Sequence, residues 1–481
     1  MGRENQFKTK VIRSFTWFTT GTFVGQFISW ISTLAVIRLL APSDYGLMAM
    51  TLPFLGFMQM VSELGIGSAI VQSQKVDENE IRRIFGLMVI TNGVIWVLSY
   101  GAAPYVALFF HEQKLTMLIR LLSVNFLLIS FFIIPQSLYT REMDFRTKAG
   151  IDIATRIVTA LLTLALALKH MGIWALVVGE ITQYATKAVW YNVIRRPWLK
   201  PVFRLKGSNK MFRYGITVTG DKLLYYLCTQ SDKIIAGRFL GKEALGIYAI
   251  AFNLASLPID RILPIITQFS FTAYSRIQDD LGRIQVNLLR TIRVVSFVAF
   301  PLFLGLAGVA TEVISFLLGP KWRLIIDPFR LFCLILPFIS LSTILPPAVF
   351  AIGKPVINLV NMAITSVFMS ISFLIGVKFG ITGLCFAWLA AFPVIFLITT
   401  TRCLHALGLQ LRHLLAAIKF PVFTSLLMLT FLLLLKKMLM VLGQPLLLLT
   451  IYVSFSAAFY SALLFIFKRD EVLKLKNLLQ Q

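Results

Sequence analysis

Arg156, Lys187, Lys222, Lys233 and Arg261, together with Glu180, Asp221, Asp232 and Asp260, stand within long apolar runs or at their ends. A charge at the centre of a membrane-spanning helix costs about 2.5–3.5 kcal/mol, so each one asks for a partner or a watery cavity. Asp221, Tyr225, Cys228 and Asp232 recur at i, i+4, i+7 and i+11, which is one face of a helix. Lys222, Tyr226, Thr229 and Lys233 fill the adjoining face. A polar stripe of that length belongs against other helices or water. Tyr225, Asp221, Asp232, Asp260 and Glu180 are therefore candidates for lining a cavity or coupling an ion, with internal ion pairing the plainer role for the acids.

The cations suggest anion binding. Under the topology derived below, Arg156, Lys187, Lys222 and Arg261 each lie about five to ten residues from the cytoplasmic end of a helix, roughly 8–15 Å deep at the helical rise. Four cations at one depth can receive an anionic headgroup entering from the cytoplasm, and the arginine fork gives phosphate two hydrogen bonds. With Lys233 they form the candidate substrate-binding set. Two features compete with that reading. Glu180 and Lys187 are seven apart on one helix face, and Asp260 adjoins Arg261. Long basic side chains near helix ends can also snorkel.

The elements that must hold these residues are helices in a membrane. Of the 481 residues, 58% are hydrophobic and only 14% charged, against about a quarter charged in soluble domains. The apolar runs reach the roughly 20 residues that a spanning helix needs, and the ten-residue alternation of an outer-membrane barrel is absent. Counting runs between polar breaks predicts fourteen helices: 14–38, 45–66, 84–110, 117–138, 149–169, 172–193, 214–238, 244–268, 292–319, 326–350, 356–377, 380–402, 416–438 and 445–467. The run from Phe15 to Leu40 reads as a retained first helix rather than a cleaved leader.

A net charge of +25 would point to nucleic acid in a soluble chain. Here most of the 46 Lys and Arg fall in alternate loops and at both ends, which places both termini in the cytoplasm. Tyr274–Arg293 and the C-terminal stretch from Asp470 are amphipathic and are expected to lie on the membrane surface. Pro135, Pro264, Pro346 and Pro347 are expected to bend helices.

Catalytic and cofactor signatures are missing. Cys228, Cys333, Cys385 and Cys403 have no paired spacing, and with four scattered histidines they make no metal site. Phosphate-binding loops, nucleophile elbows and dinucleotide fingerprints in context are absent. No loop is long enough for a folded domain, so no cofactor is expected and any function must sit within the helix bundle.

The chain repeats itself. Arg38, Leu40, Gly46 and Ala49 match Arg238, Leu240, Gly246 and Ala249 at an offset of 200. Ile134-Pro135 matches Leu345-Pro346, and Gly172-Ile173 with Leu176 matches Gly380-Ile381 with Leu384, at similar offsets. Two six-helix lobes related by a pseudo-twofold axis along the membrane normal follow. The expected boundaries are 1–200 for the first lobe, 201–213 for a basic linker, 214–405 for the second lobe, and 406–481 for two further helices and a tail.

Four stretches carry a family resemblance: Arg38-Leu-Leu-Ala-Pro-Ser-Asp-Tyr-Gly46, Gln230-Ser-Asp-Lys-Ile-Ile-Ala-Gly-Arg-Phe-Leu-Gly-Lys-Glu-Ala-Leu-Gly-Ile-Tyr248, Ser275-Arg-Ile-Gln-Asp-Asp280 and Phe350-Ala-Ile-Gly-Lys-Pro355. In their order and placement the chain resembles the polysaccharide transporter family, the O-antigen and exopolysaccharide repeat-unit flippases of the multidrug/oligosaccharidyl-lipid/polysaccharide exporter superfamily. The resemblance implies two lobes around a central cavity in a bacterial inner membrane. It implies alternating access that moves undecaprenyl-diphosphate-linked oligosaccharide to the periplasmic leaflet, alongside membrane lipids and polysaccharide polymerase or export machinery. Arg261 is the closest positional match to the family's cavity arginines, while the near-balance of embedded charge departs from a strongly cationic cavity. The alternatives are a cation-coupled drug exporter of the same fold, a membrane glycan polymerase or ligase, and a non-transporting scaffold.

Overall fold

The computed structural model describes residues 29–63, 70, 78–142, 144–195, 201–202, 226, 230–260, 262–439 and 445–479. All the secondary structure in them is helical. Nine stretches among the described residues are long and apolar enough to cross a membrane. The apolar window of Phe145–Leu168 is only 17% buried and that of Glu78–Phe110 33%, so large apolar side chains such as Val97, Leu108 and Leu161 face outward. In a polytopic membrane protein that outward face meets lipid, while every backbone polar group is satisfied within its helix. The chain divides into two compact units, Met1–Gly246 and Ile247–Gln481.

The first unit contains α1 (Ser29–Leu39), α2 (Pro42–Glu63), α3 (Glu78–Phe110), α4 (Lys114–Leu122), α5 (Val124–Arg141), α6 (Phe145–Leu168), α7 (Ile173–Arg195) and the start of α8 (Ser231–Ser256). Local chemistry sets several of these ends. Pro42 opens α2, where its missing N–H is no loss, and the Ala41 N–H donates to Asp44 Oδ2 at 3.2 Å. Asp144 caps α6 by accepting from the Thr147 N–H at 3.1 Å. In α8 the turn expected between Arg238 and Gly246 is confined to Gly241, at φ 80° and ψ −177°. The core of this unit joins Met88 and Ile95 of α3, Phe126, Ile129 and Phe132 of α5, Ile151 of α6 and Tyr191 of α7.

Polar side chains tie these helices together. Asn92 Nδ2 of α3 donates to Ser130 Oγ of α5 at 2.8 Å. Pro135 does not break α5. The Phe131 carbonyl, left without a donor by the proline, accepts from Asn192 Nδ2 of α7 at 2.7 Å. The repeated glycines meet within this unit. A Cβ on Gly46 would land on the Lys242 carbonyl, and one on Gly246 would land on the Pro42 carbonyl. Backbone packs on backbone there, and only glycine permits it.

The second unit contains the rest of α8, then α9 (Ile262–Ser275), α10 (Leu281–Gly308), α11 (Ala310–Leu317), a 3₁₀ turn (Pro320–Ile325), α12 (Ile326–Ser342), α13 (Leu345–Ala351), α14 (Pro355–Gly376), a 3₁₀ turn (Val377–Phe379), α15 (Gly380–Ala406), α16 (Leu411–Met438) and α17 (Pro445–Leu479). Trp388 Nε1 donates to the Tyr248 hydroxyl at 2.8 Å, and Phe332 packs edge-on against Tyr248 and Phe252 beside them. Lys436 of α16 donates to Glu312 at 2.9 Å and to the Gly308 carbonyl at 2.9 Å, joining α16 to the α10–α11 corner.

Several expected helices differ. The expected 244–268 helix is interrupted at Leu257–Asp260, because Pro258 disfavours helical geometry at the residue before it and lacks a donor. Tyr274–Arg293 is not a separate surface helix. Asp280 accepts from the Arg283 N–H at 3.0 Å and starts α10, which runs unbroken from Leu281 into an apolar span. The expected 326–350 helix divides before Pro346 and Pro347, which occupy the first turn of α13. The expected 292–319 helix divides at Val309.

Candidate functional site

A cavity of about 410 Å³ lies in the first unit between α2, the α4–α5 corner and α7. Its apolar wall includes Leu52, Leu55, Phe126 and Ile129, and its polar wall is made by Gln59, Asn125, Glu180, Tyr184 and Tyr226. Helix periodicity brings these residues to one place. Leu52, Leu55 and Gln59 recur at three and four residues along α2, and Glu180 and Tyr184 are one turn apart on α7. Gly56 leaves room for the Tyr226 ring, whose hydroxyl donates to the Leu52 carbonyl at 2.7 Å. The Tyr184 hydroxyl donates to Gln59 Oε1 at 3.4 Å.

The polar stripe of α7 continues beyond the cavity. Glu180, Tyr184, Lys187 and Tyr191 follow at i, i+4, i+7 and i+11. The Phe132 ring of α5 lies against the last three. Its centroid is 5.7 Å from Lys187 Nζ, 6.0 Å from the Tyr184 ring and 6.5 Å from the Tyr191 ring. An ammonium over an aromatic face is attracted by the ring's electrons. Glu180 and Lys187 make no ion pair within 4 Å among the described residues.

A second group gathers on α6. Lys148, Asp152 and Arg156 are spaced at four residues along one face of the helix. Lys148 Nζ donates to Thr140 Oγ1 at 3.0 Å. Asp152 Oδ1, Thr155 Oγ1 and Thr159 Oγ1 are buried with no hydrogen-bond partner among the described residues. Unsatisfied polar atoms at membrane depth are expensive, and three on one helix mark a place for water or a polar ligand.

Of the predicted site residues, Arg156 stands one turn from Asp152 on α6, Lys187 lies over the Phe132 ring on α7, and Glu180 is in the cavity wall. Lys233 is engaged locally: its Nζ donates to Gln230 Oε1 at 2.9 Å, and its N–H donates to the buried Asp232 at 2.8 Å. Neither residue lines the cavity. Asp260 belongs to the second unit, is exposed, and accepts from Ser256 Oγ at 2.7 Å. Arg261, Lys222, Asp221 and Tyr225 lie outside the described residues.

The sequence reading missed Asp152, Lys148, Gln59 and Asn125. The spacing of Lys148, Asp152 and Arg156 was a usable signal, whereas the neutral amides of Gln59 and Asn125 gave none. The arrangement offers charge, hydrogen-bond acceptors and aromatic faces, which suits recognition of a polar ligand.

Comparison with known proteins follows the same lines. The model of the family described as "Polysaccharide biosynthesis protein" matches residues 35–327. The chain is 29% identical over 269 residues to the teichuronic acid biosynthesis protein TuaB of Bacillus subtilis (strain 168), covering 55% of this chain and 56% of that protein. It is 26% identical over 332 residues to the lipopolysaccharide biosynthesis protein WzxC of Escherichia coli (strain K12), covering 68% and 67%. The matched stretch is thus little more than half of TuaB and two thirds of WzxC. Among solved structures, the fold is similar to lipid II flippase MurJ in an inward closed conformation, with a TM-score of 0.76 at 17% identity over 95% of this chain and 99% of that one. An inward-facing multidrug resistance MATE family transporter of the MOP superfamily gives 0.61 at 14% identity over 79% and 95%. At such identities the likeness is one of fold. With a match across more than half its length, this multi-pass membrane chain belongs to the polysaccharide biosynthesis protein family and has the fold of MurJ and MATE transporters.

Proposed function

We propose that the chain is a flippase for lipid-linked oligosaccharide. It carries undecaprenyl-diphosphate-linked repeat units from the cytoplasmic to the periplasmic leaflet of a bacterial inner membrane by alternating access, for surface polysaccharide synthesis. The observation that carries this reading is the MurJ-like fold over 95% of the chain in a member of a polysaccharide biosynthesis family. The cations fit it. Lys148 and Arg156 share one face of α6 and Lys187 lies on α7 over the Phe132 ring, and an anionic diphosphate can accept hydrogen bonds from such groups. Arg261 and Lys222 join the proposed binding set from their position in the sequence. Both termini face the cytoplasm, the side on which the basic loops collect, and polymerase or export machinery receives the product.

A drug exporter of the same fold is the second reading, favoured by the MATE likeness and by a carboxyl group, Glu180, in an aromatic cavity. Complementation separates the two. In cells deleted for their own flippase, wild-type chain restores surface polymer, while a well-expressed Arg156→Gln, Lys187→Gln or Arg261→Ala variant accumulates lipid-linked repeat in the cytoplasmic leaflet. Failure to restore polymer in several repeat-unit backgrounds, with resistance to cationic drugs instead, supports the exporter.

A further inference from the structure

We infer that the end of the second unit formed by the head of α14, the tail of α15 and the head of α16 holds the headgroup of an anionic phospholipid, with Arg402 at its centre. The inference concerns the bilayer around the protein and stands apart from what the protein transports.

Arg402 is prepared for an anion by its neighbours. It lies four residues before the last residue of α15, about 6 Å from that end of the helix, and is exposed. Its Nε donates to Asn361 Oδ1 of α14 at 2.9 Å. Asn361 is 6% exposed, and its Nδ2 donates to the Thr399 carbonyl at 3.1 Å and to Cys403 Sγ at 3.2 Å. The amide is engaged through both its oxygen and its nitrogen, so it orients the guanidinium. The terminal nitrogens of Arg402 have no partner among the described residues. A charged, exposed fork with free N–H donors matches the oxygens of a phosphate.

Charge selects the kind of headgroup. The sequence has no Asp or Glu between Asp327 and Asp470. Lys354 at the head of α14 is exposed, as are Arg412 and Lys419 on α16. Helix α10 meets this end where Gln285 Nε2 donates to the Leu407 carbonyl at 2.7 Å. Asp279 and Asp280 precede α10, which itself carries Arg283, Arg290 and Arg293, and Asp280 is occupied in capping it. The balance is positive, so a headgroup of net negative charge is favoured over a zwitterionic one, whose ammonium is repelled. Apolar surface continues the site. Val394 and Ile398 lead to Arg402 at four-residue intervals along α15, and both are exposed. Acyl chains lie along them while the phosphate meets the fork. Under the orientation set by the basic loops this end faces the cytoplasm, where the leaflet carries anionic lipid.

Native mass spectrometry of the purified full-length chain tests this with chain-matched phosphatidylglycerol and phosphatidylethanolamine, and with undecaprenyl diphosphate. Wild type is expected to retain phosphatidylglycerol about tenfold more tightly than phosphatidylethanolamine, the effect of one charge-assisted hydrogen bond. Arg402→Gln removes that preference. Arg402→Lys keeps the charge but not the fork and restores only part of it. Lys378→Gln, at the opposite end of the α14–α15 hairpin, leaves it intact. Equal retention of the two phospholipids by wild type, or a full preference in either Arg402 variant, overturns the assignment. So does an equal loss in Lys378→Gln, which makes the preference one of diffuse charge. Loss of undecaprenyl diphosphate but not of phosphatidylglycerol in Arg402→Gln gives the site to that lipid and also overturns it.

Discussion

Asn192 supplies, from 61 residues along the chain, the hydrogen bond that Pro135 denies to the Phe131 carbonyl, at 2.7 Å. In lipid an orphaned carbonyl has no water to turn to, so α5 stays continuous because α7 lends it a donor. Asn192→Leu is expected to destabilise the protein by about 1–3 kcal/mol, measured as loss of thermal stability in detergent. In a Pro135→Ala background the same change costs much less, because the alanine supplies the missing N–H. Equal costs in both backgrounds contradict the assignment.

Gly46 and Gly246 lie against Lys242 and Pro42 backbone in matching fashion. Alanine at either position is expected to cost about 1–3 kcal/mol by overpacking, with less folded protein recovered from membranes. Gly241→Ala meets no neighbour, yet its φ of 80° puts the expected cost in the same range through backbone strain alone. Melting curves of the three variants check this, and a harmless Gly46→Ala contradicts it.

Much of this fold was legible. Apolar runs placed the helices, and the offset of 200 marked Gly46 and Gly246 as equivalent. What the offset could not show is that the two glycines touch. Pro135 was expected to bend its helix, whereas α5 runs through it, and the carbonyl it orphans depends on Asn192, a partner distant in sequence. The site was half legible for a similar reason. Charges in apolar runs announce themselves, so Arg156, Lys187 and Glu180 stood out as candidates, and of these Glu180 lines the cavity. Gln59 and Asn125 are neutral, cost little in a helix, and acquire meaning only when the helices enclose a cavity.

Lys436 and Glu312 form a largely buried pair at 2.9 Å, their side chains 22% and 13% exposed. Removing one partner leaves an uncompensated charge. Glu312→Gln is expected to lower stability by about 3 kcal/mol, while Glu312→Leu with Lys436→Met costs clearly less. A double-mutant cycle on thermal or denaturant unfolding reads the coupling, and strict additivity contradicts it.

The candidate cations should separate by their surroundings. Lys187 lies one turn beyond Tyr184 of the cavity wall, over the Phe132 ring, and Lys233 is occupied by Gln230. Lys187→Gln is expected to lower lipid-linked glycan translocation about tenfold or more, whereas Lys233→Gln stays within about twofold. Polymer output at matched membrane levels measures both, and the reverse order contradicts the placement.

Translocation itself is tested most directly in proteoliposomes holding the full-length chain and undecaprenyl-diphosphate-linked sugar labelled in the inner leaflet. The sugar is followed by its accessibility to an impermeant oxidant. Wild type should expose inner-leaflet sugar faster than protein-free vesicles, with Lys187→Gln falling close to the protein-free rate. Exposure by wild type at the protein-free rate, from protein shown to be folded and inserted, contradicts the flippase account.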